Sequence, residues 1–113
     1  MMEKSKFYRL STADIRPLVI GRGICIASDR ITVDGQPIRF MYREPPRDDH
    51  DSGWAFLSGT EEDGYLANPD NHSIFDVNAI ANYHPSIIPH LDAAPGSAST
   101  KMPGATDFAQ IQV

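Results

Sequence analysis

Residues 51–66 read DSGWAFLSGTEEDGYL and contain the only tryptophan of the chain, Trp54. The glycine-flanked apolar run at the start of this stretch predicts a β-strand. Three consecutive acids, Glu61, Glu62 and Asp63, follow the strand directly. Two interpretations are open: a buried strand whose exit loop is acidic, or a surface that a basic partner contacts.

The residues before this strand predict more sheet. The segment PLVIGRGICIAS (17–28) is rich in β-branched residues and predicts a strand that bends at its glycines. The segment RITVDGQPIRFMYREPP (30–46) contains Asp34-Gly35, which predicts a β-hairpin because a tight turn needs positive φ. Apolar and polar residues alternate after this turn, as in a half-buried strand. We expect one core formed by Ile24, Ile26, Ile38, Phe40, Tyr42, Trp54 and Phe56.

The residues after the strand predict short helices. Thr60 followed by Asp63 resembles a capping box and predicts a helix over 61–67. SIFDV (73–77) is a brief apolar segment with the character of a strand, and Asp76 can cap a helix over 77–83. A further helical turn is predicted in PSIIPHL (85–91).

The fold class predicted from these elements is α+β: a small antiparallel β-sheet, arranged as a β-meander with a hairpin at Asp34-Gly35, packed with two or three short helices. We expect a partly loose N-terminal segment at 1–16 and a single domain at 17–92. Residues 93–113 are rich in Gly, Ala, Ser and Pro and are typical of a flexible tail, which Phe108, Ile111 and Val113 can anchor.

Length and composition are those of one small globular domain. The chain has 113 residues, of which 41% are hydrophobic, and no run approaches the ~18 apolar residues of a membrane span. The N-terminus shows no secretory signal. A single cysteine, Cys25, cannot form an internal disulfide, and its apolar neighbours predict a buried, inert thiol. These features favour the cytoplasm and no membrane partner.

Charge is divided unevenly along the chain. Residues 1–47 carry nine Lys or Arg against five acids, and residues 48–113 carry one lysine against ten acids, which gives +4 and −9 and a net −5. Such a division favours a polar binding surface. It argues against nucleic acid as a partner, because phosphate binding needs clustered cations.

No residue pattern predicts catalysis, a cofactor or a metal site. The histidines His50, His72, His84 and His90 all lie in the acidic half, but none has the spacing of a zinc motif. The serines show no nucleophile elbow, and Cys25 is far in sequence from any histidine. We therefore expect no catalytic residue, no cofactor and no bound metal.

Several segments in order resemble a known family. SDRITVDGQPIRFMYREPP, DSGWAFLSGTEEDGYL, NPDN and IANYHPSIIPHL are similar to domain-of-unknown-function family 2185, which is also grouped with the bacterial polymorphic-toxin immunity proteins as the type 33 immunity domain. The resemblance covers residues 24–98. It implies a protein that binds and neutralises a cognate toxin without catalysis. A small-molecule or metal-binding accessory role is the alternative.

Six acids are the candidate partner-binding residues. They lie on the loops at the two ends of the Trp54 strand, which are only about 20 Å apart, so that they can frame one face. They can equally serve only to keep a small domain soluble. The six are Asp48, Asp49, Asp51, Glu61, Glu62 and Asp63.

Overall fold

A computed structural model describes residues 6–111 of the chain. This part of the chain forms six short strands and several short helices. The strands are β1 (Ile24–Ser28), β2 (Phe40–Arg43), β3 (Asp51–Leu57), β4 (His72–Asp76), β5 (Ala98–Thr100) and β6 (Ala109–Ile111). The helices are α1 (Asp29–Thr32), α2 (Asp63–Ala67) and α3 (Val77–Tyr83), with 3₁₀ helices at Thr12–Asp14, Pro69–Asn71 and Pro85–His90.

The strands form one sheet in the order β4-β1-β3-β2-β5-β6. The predicted α+β class is confirmed, but the sheet is mixed and is not an antiparallel meander. Central strands β1 and β3 run parallel, with Ala27 opposite Phe56, whereas the other neighbouring strands pair antiparallel. A parallel pair needs a crossover, and here the chain crosses by way of α1 and strand β2, which lies between β3 and β5.

The hairpin predicted at Asp34-Gly35 is wrong. Residues 29–32 form helix α1, which the Ser28 side chain caps by accepting from the Arg30 amide. Gly35 has φ +79° and donates its amide to the Ile31 carbonyl at 3.1 Å. The glycine therefore takes the positive φ that the sequence predicts, but it ends a helix and does not join two strands.

Two helix predictions are confirmed. Helix α3 begins after Asp76, whose carboxylate accepts from the Asn78 amide, and it buries Ile80. Helix α2 lies within the predicted range 61–67, but the predicted capping box of Thr60 and Asp63 is wrong, because Glu62 is the N-cap and its side chain makes no capping hydrogen bond.

The hydrophobic core lies on one face of the sheet, beneath α1, α3 and the 3₁₀ helix Pro85–His90. Ile38, Trp54 and Phe56 belong to it, as predicted, and the indole of Trp54 donates to the Leu91 carbonyl at 3.2 Å. The core also contains Cys25, Ala27, Ile31, Met41, Val77, Ile80, Ala81, Ile87, Leu91 and Phe108.

The prediction of a single core that also includes Ile24, Ile26, Phe40 and Tyr42 is wrong. Ile24 and Ile26 are 38% and 42% exposed, and Phe40 and Tyr42 are half-buried. Because side chains alternate along a strand, these four point to the side opposite Cys25 and Met41.

Both chain ends contact the domain within the described residues. The Arg9 amide donates to the Thr32 carbonyl at 2.7 Å, and Lys6 pairs with Asp29 at 3.0 Å. The segment predicted to be a tail supplies β5 and β6 to the sheet, and Phe108 is buried. Residues 1–5, and Val113 as a proposed anchor, lie outside the described residues.

None of the helices within residues 6–111 has the length and apolar character needed to cross a membrane.

Candidate functional site

The side of the sheet opposite the core, here called the open face, carries a row of apolar residues across all six strands. The strand register aligns them directly. The row is Ile74, Ile26, Ala55, Tyr42, Ala98 and Ile111. Ile74 is 67% exposed and Ile111 is 38% exposed. Ala55 and Ala98 are buried within the row, so its exposed apolar surface lies mainly at Ile26, Ile74 and Ile111.

Strand β1 shows why this face is unusual. Its core side carries Cys25 and Ala27, and its open side carries Ile24 and Ile26. A strand that is apolar on both sides is typical of a sheet covered on both faces. Here α1 and α3 cover one face, and on the other face α2 places Leu66 near Ile26 and Ile74, which remain 42% and 67% exposed.

The first acidic loop precedes β3, and its side chains bind its own backbone. The Asp48 carboxylate accepts from the His50 and Asp51 amides at 2.8 and 3.0 Å. Asp51 accepts from the Arg47 and Gly53 amides at 3.0 and 2.9 Å. These two amide hydrogen bonds lower the pKa of Asp51 and keep it ionised.

Asp48 and Asp51 form one wall of a groove on the open face, here called the carboxylate groove. Its floor is Ile24, Ile26 and Ile74, and Glu44 completes the acidic wall. The cavity volume is about 190 Å³.

A glycine holds the acidic wall together. Gly53 has φ +82°, and a Cβ there would lie 2.0 Å from the Glu44 carbonyl oxygen. The Gly53 carbonyl also accepts from the Glu44 amide at 2.9 Å. The close approach of β2 and β3 at this point therefore places Glu44 beside Asp51.

The second acidic loop follows β3, and Glu61 is turned inward. Its carboxylate accepts from the Ser58 amide and hydroxyl, both at 2.9 Å, and from the Gly59 amide at 3.0 Å. Burial alone would raise the pKa of Glu61, but hydrogen bonds from the Ser28 hydroxyl and from Ser58 outweigh it and lower the pKa. Glu62 and Asp63 are exposed, and Asp63 begins α2.

The structure does not bring the six predicted acids together. Asp48, Asp49 and Asp51 lie at the start of β3, and Glu61, Glu62 and Asp63 lie beyond its end, about 20 Å away. At that second end the groove beside Glu61 also contains Arg39 and Lys101. The two ends of the open face therefore differ in charge, and the acidic end is the one at Asp51.

Sequence reasoning missed Glu44, Ile24, Ile26 and Ile74 as members of this site. Glu44 follows β2 in the basic half of the chain, so its position beside the acidic loop depends on strand pairing. The isoleucines carried a signal, because ICIA in β1 lacks the polar positions of a strand with one solvated side.

The described residues show little that could perform chemistry. Within 6–111, no group of three or more His, Cys, Asp or Glu side chains is arranged to hold a metal ion. Burial raises the pKa of the Cys25 thiol far above its usual range, so the thiol is not a nucleophile. His90 pairs with Asp107 at 2.8 Å at the edge of the core, away from the open face.

Comparison with known proteins places the chain in a family. The sequence model described as the Immunity protein Imm33 domain matches residues 25–112, which is most of the chain. No curated protein matches the chain, and neither does any solved structure. The chain therefore belongs to the Imm33 immunity protein domain family.

Proposed function

We propose that this protein is an immunity protein that binds a cognate protein toxin and neutralises it by occupying the toxin's surface, without catalysis. Family membership supports this proposal most strongly, because the match covers residues 25–112. The open face supports it independently. A row of apolar residues across the sheet, bounded by acids, has the makeup of a protein-binding surface.

Binding alone is sufficient for this function. An inhibitor that buries the active surface of an enzyme needs an interface of roughly 1,600 Å² in total. It needs no reactive group of its own. Cys25, the one cysteine, lies buried on the core side and takes no part in the proposed mechanism.

The test begins by finding the partner. The tagged full-length protein is used to capture proteins from the organism that encodes it, and each partner is identified by mass. The gene of each partner is then expressed in a laboratory bacterium with and without this protein. We expect a partner that stops growth when expressed alone and permits growth when the two are co-expressed.

Two results would refute the proposal. One is that every captured partner is harmless when expressed alone. The other is a toxic partner whose effect persists although the two proteins form a complex.

A further inference from the structure

We propose that the carboxylate groove and the adjoining isoleucines of the open face receive a basic side chain of the toxin, lysine or arginine, presented by an apolar segment. The alkyl stem would lie on the isoleucines, and the cationic head would meet the carboxylates. This inference rests on the proposed function and deepens it by naming the chemistry of the partner's surface.

The floor of the groove matches an alkyl stem. Ile24, Ile26 and Ile74 line it, and they are 38%, 42% and 67% exposed. Lysine and arginine cover apolar surface with their methylene groups while the charged end reaches a polar neighbour. An acidic or a small polar side chain would leave these isoleucines in water.

The wall matches a cationic head. Glu44, Asp48 and Asp51 line the groove against a single cation, Arg47. Backbone amides hold Asp48 and Asp51 in place, but each carboxylate has about four acceptor sites, so sites remain for a partner's donors. Because these carboxylates are already positioned, a cation meets them with little loss of side-chain entropy.

The opposite end of the open face has a different charge. The Glu61 carboxylate accepts hydrogen bonds from Ser58 and Gly59. Two cations, Arg39 and Lys101, line the same groove as Glu61. A toxin segment with a cation at one end and apolar residues along its length would therefore bind in one orientation, with the cation toward Asp51.

The area of the open face agrees with a partner larger than a single side chain. Six strands spaced about 4.8 Å apart span about 24 Å, and strands of three to seven residues span about 10–24 Å, which gives a flat area of at most about 400 Å². A specific protein complex buries about 800 Å² on each partner. The face alone supplies at most half of this area, so the loops beside it must take part in the complex.

The first experiment uses a defined probe, an octapeptide of alternating lysine and leucine, with alternating glutamate and leucine as its control. Binding to the full-length protein is followed by amide chemical shifts. We expect saturable binding of the lysine peptide, with the largest shifts at residues 24–26, 51–55 and 74–76. The glutamate peptide should bind at least about tenfold more weakly.

Matched variants test the two halves of the groove. Ile74→Asp replaces an apolar side chain of the groove floor, on the edge strand β4. The double variant Glu44→Gln with Asp48→Asn removes two negative charges from the wall but keeps the side-chain oxygens as hydrogen-bond acceptors. Each should weaken the lysine peptide about tenfold or more. The controls are Ile20→Asp, at an exposed isoleucine that lines none of the grooves, and Asp34→Asn, at an exposed turn. Neither should change the affinity, and all variants should keep the wild-type circular dichroism spectrum.

The same variants are then applied to the captured toxin. Ile74→Asp should weaken the complex about tenfold, and the double variant should slow association and flatten its dependence on salt. A toxin that is neutralised equally by wild type and by both groove variants would overturn this inference and leave the proposed function standing. If no captured partner is toxic, the proposed function is refuted. The peptide binding experiment would still show whether the groove prefers a basic side chain.

Three peptide-stage results would also overturn the inference. They are shifts confined to residues outside the open face, equal affinity for the two peptides, and a concentration-dependent dimer that Ile74→Asp abolishes. The last would mean that a second copy of this chain covers the face.

Discussion

Phe56 is one of the aromatic residues of the hydrophobic core. It is completely buried, and its ring stacks on that of Trp54 with centroids 6.0 Å apart. Phe56→Ala should lower the free energy of unfolding by about 3–5 kcal/mol, because it removes core surface and leaves a cavity. Urea denaturation measures this, with Phe7→Ala, at an 84% exposed phenylalanine, as the control that should change it by less than ~0.5 kcal/mol. A loss below ~1 kcal/mol at Phe56 would contradict the assignment of the core face.

Glu61 should make stability depend on pH. Its pKa in the folded protein is lowered from the ordinary 4.5, so its contribution is fully present above pH 4.5 and is lost as the pH falls through the folded-state value. Glu61→Gln should cost about 1–2 kcal/mol at pH 7, since the side chain is half-buried and solvent screens part of its charge. The difference from wild type should shrink below pH 4.5.

The neighbouring Glu62 provides the control for that experiment. It is exposed, and its side chain makes no capping hydrogen bond to α2. Glu62→Gln should leave stability within about 0.5 kcal/mol at every pH. Equal effects at Glu61 and Glu62 would mean that general charge, and not the Ser58 hydrogen bonds, sets the pH dependence.

The acids also show which properties of a single residue can be predicted from the sequence. It predicts that Asp51 and Glu61 flank one strand; in the structure Asp51 is the first residue of β3, and Glu61 follows the strand. It does not show that both carboxylates bind their own loops, because those hydrogen bonds depend on loop conformation. Asp51 and Glu61 therefore differ from the exposed Glu62 in their surroundings, although all three residues carry the same charge.

Among the elements, the junction of β2 and β3 depends on Gly53. Gly53→Ala should destabilise the protein by at least ~2 kcal/mol more than Gly21→Ala. Both glycines have positive φ, +82° and +80°, and so share the same backbone strain, but only at Gly53 would the added Cβ meet a backbone atom, at 2.0 Å. Thermal and urea unfolding of the two variants measure the difference. Equal losses of stability in the two variants would show that β2 and β3 can move apart at little cost. They would contradict the claim that the close approach of these strands positions Glu44.

The incorrect predictions of secondary structure have physical causes. Asp-Gly satisfies positive φ in a hairpin and also at the end of a helix, and α1 is too short to show a helical period. The parallel pairing of β1 with β3 joins residues far apart in sequence, which no local pattern encodes. Strands β5 and β6 have only three residues each and lie in a segment rich in Gly, Ala, Ser and Pro. Neither strand is long enough to show an alternating pattern in the sequence. Helix α3, with its Asp76 cap, carries a complete local signal and is predicted well.

For the whole molecule, the uneven division of charge along the chain has a structural explanation. Several cations of the first half bind within the domain: Arg43 donates to the Ser52 and Ala93 carbonyls at 2.8 Å, and Arg30 donates to Thr60. Asp48 and Asp51, at the start of β3, line an open groove. The surface offered to a partner at this end is therefore acidic around an apolar floor, which the net charge of −5 alone does not reveal.

The most direct test of the central claim is a titration of the captured toxin's activity with this protein and with Ile26→Asp, a change at the centre of the apolar row. We predict that wild type abolishes the activity at about one equivalent, since a binding inhibitor occupies one site per toxin. The folded Ile26→Asp variant should need at least about tenfold more protein. Equal neutralisation by both proteins would contradict the claim that the open face is the inhibitory surface, and activity that persists at excess wild type would contradict the immunity function itself.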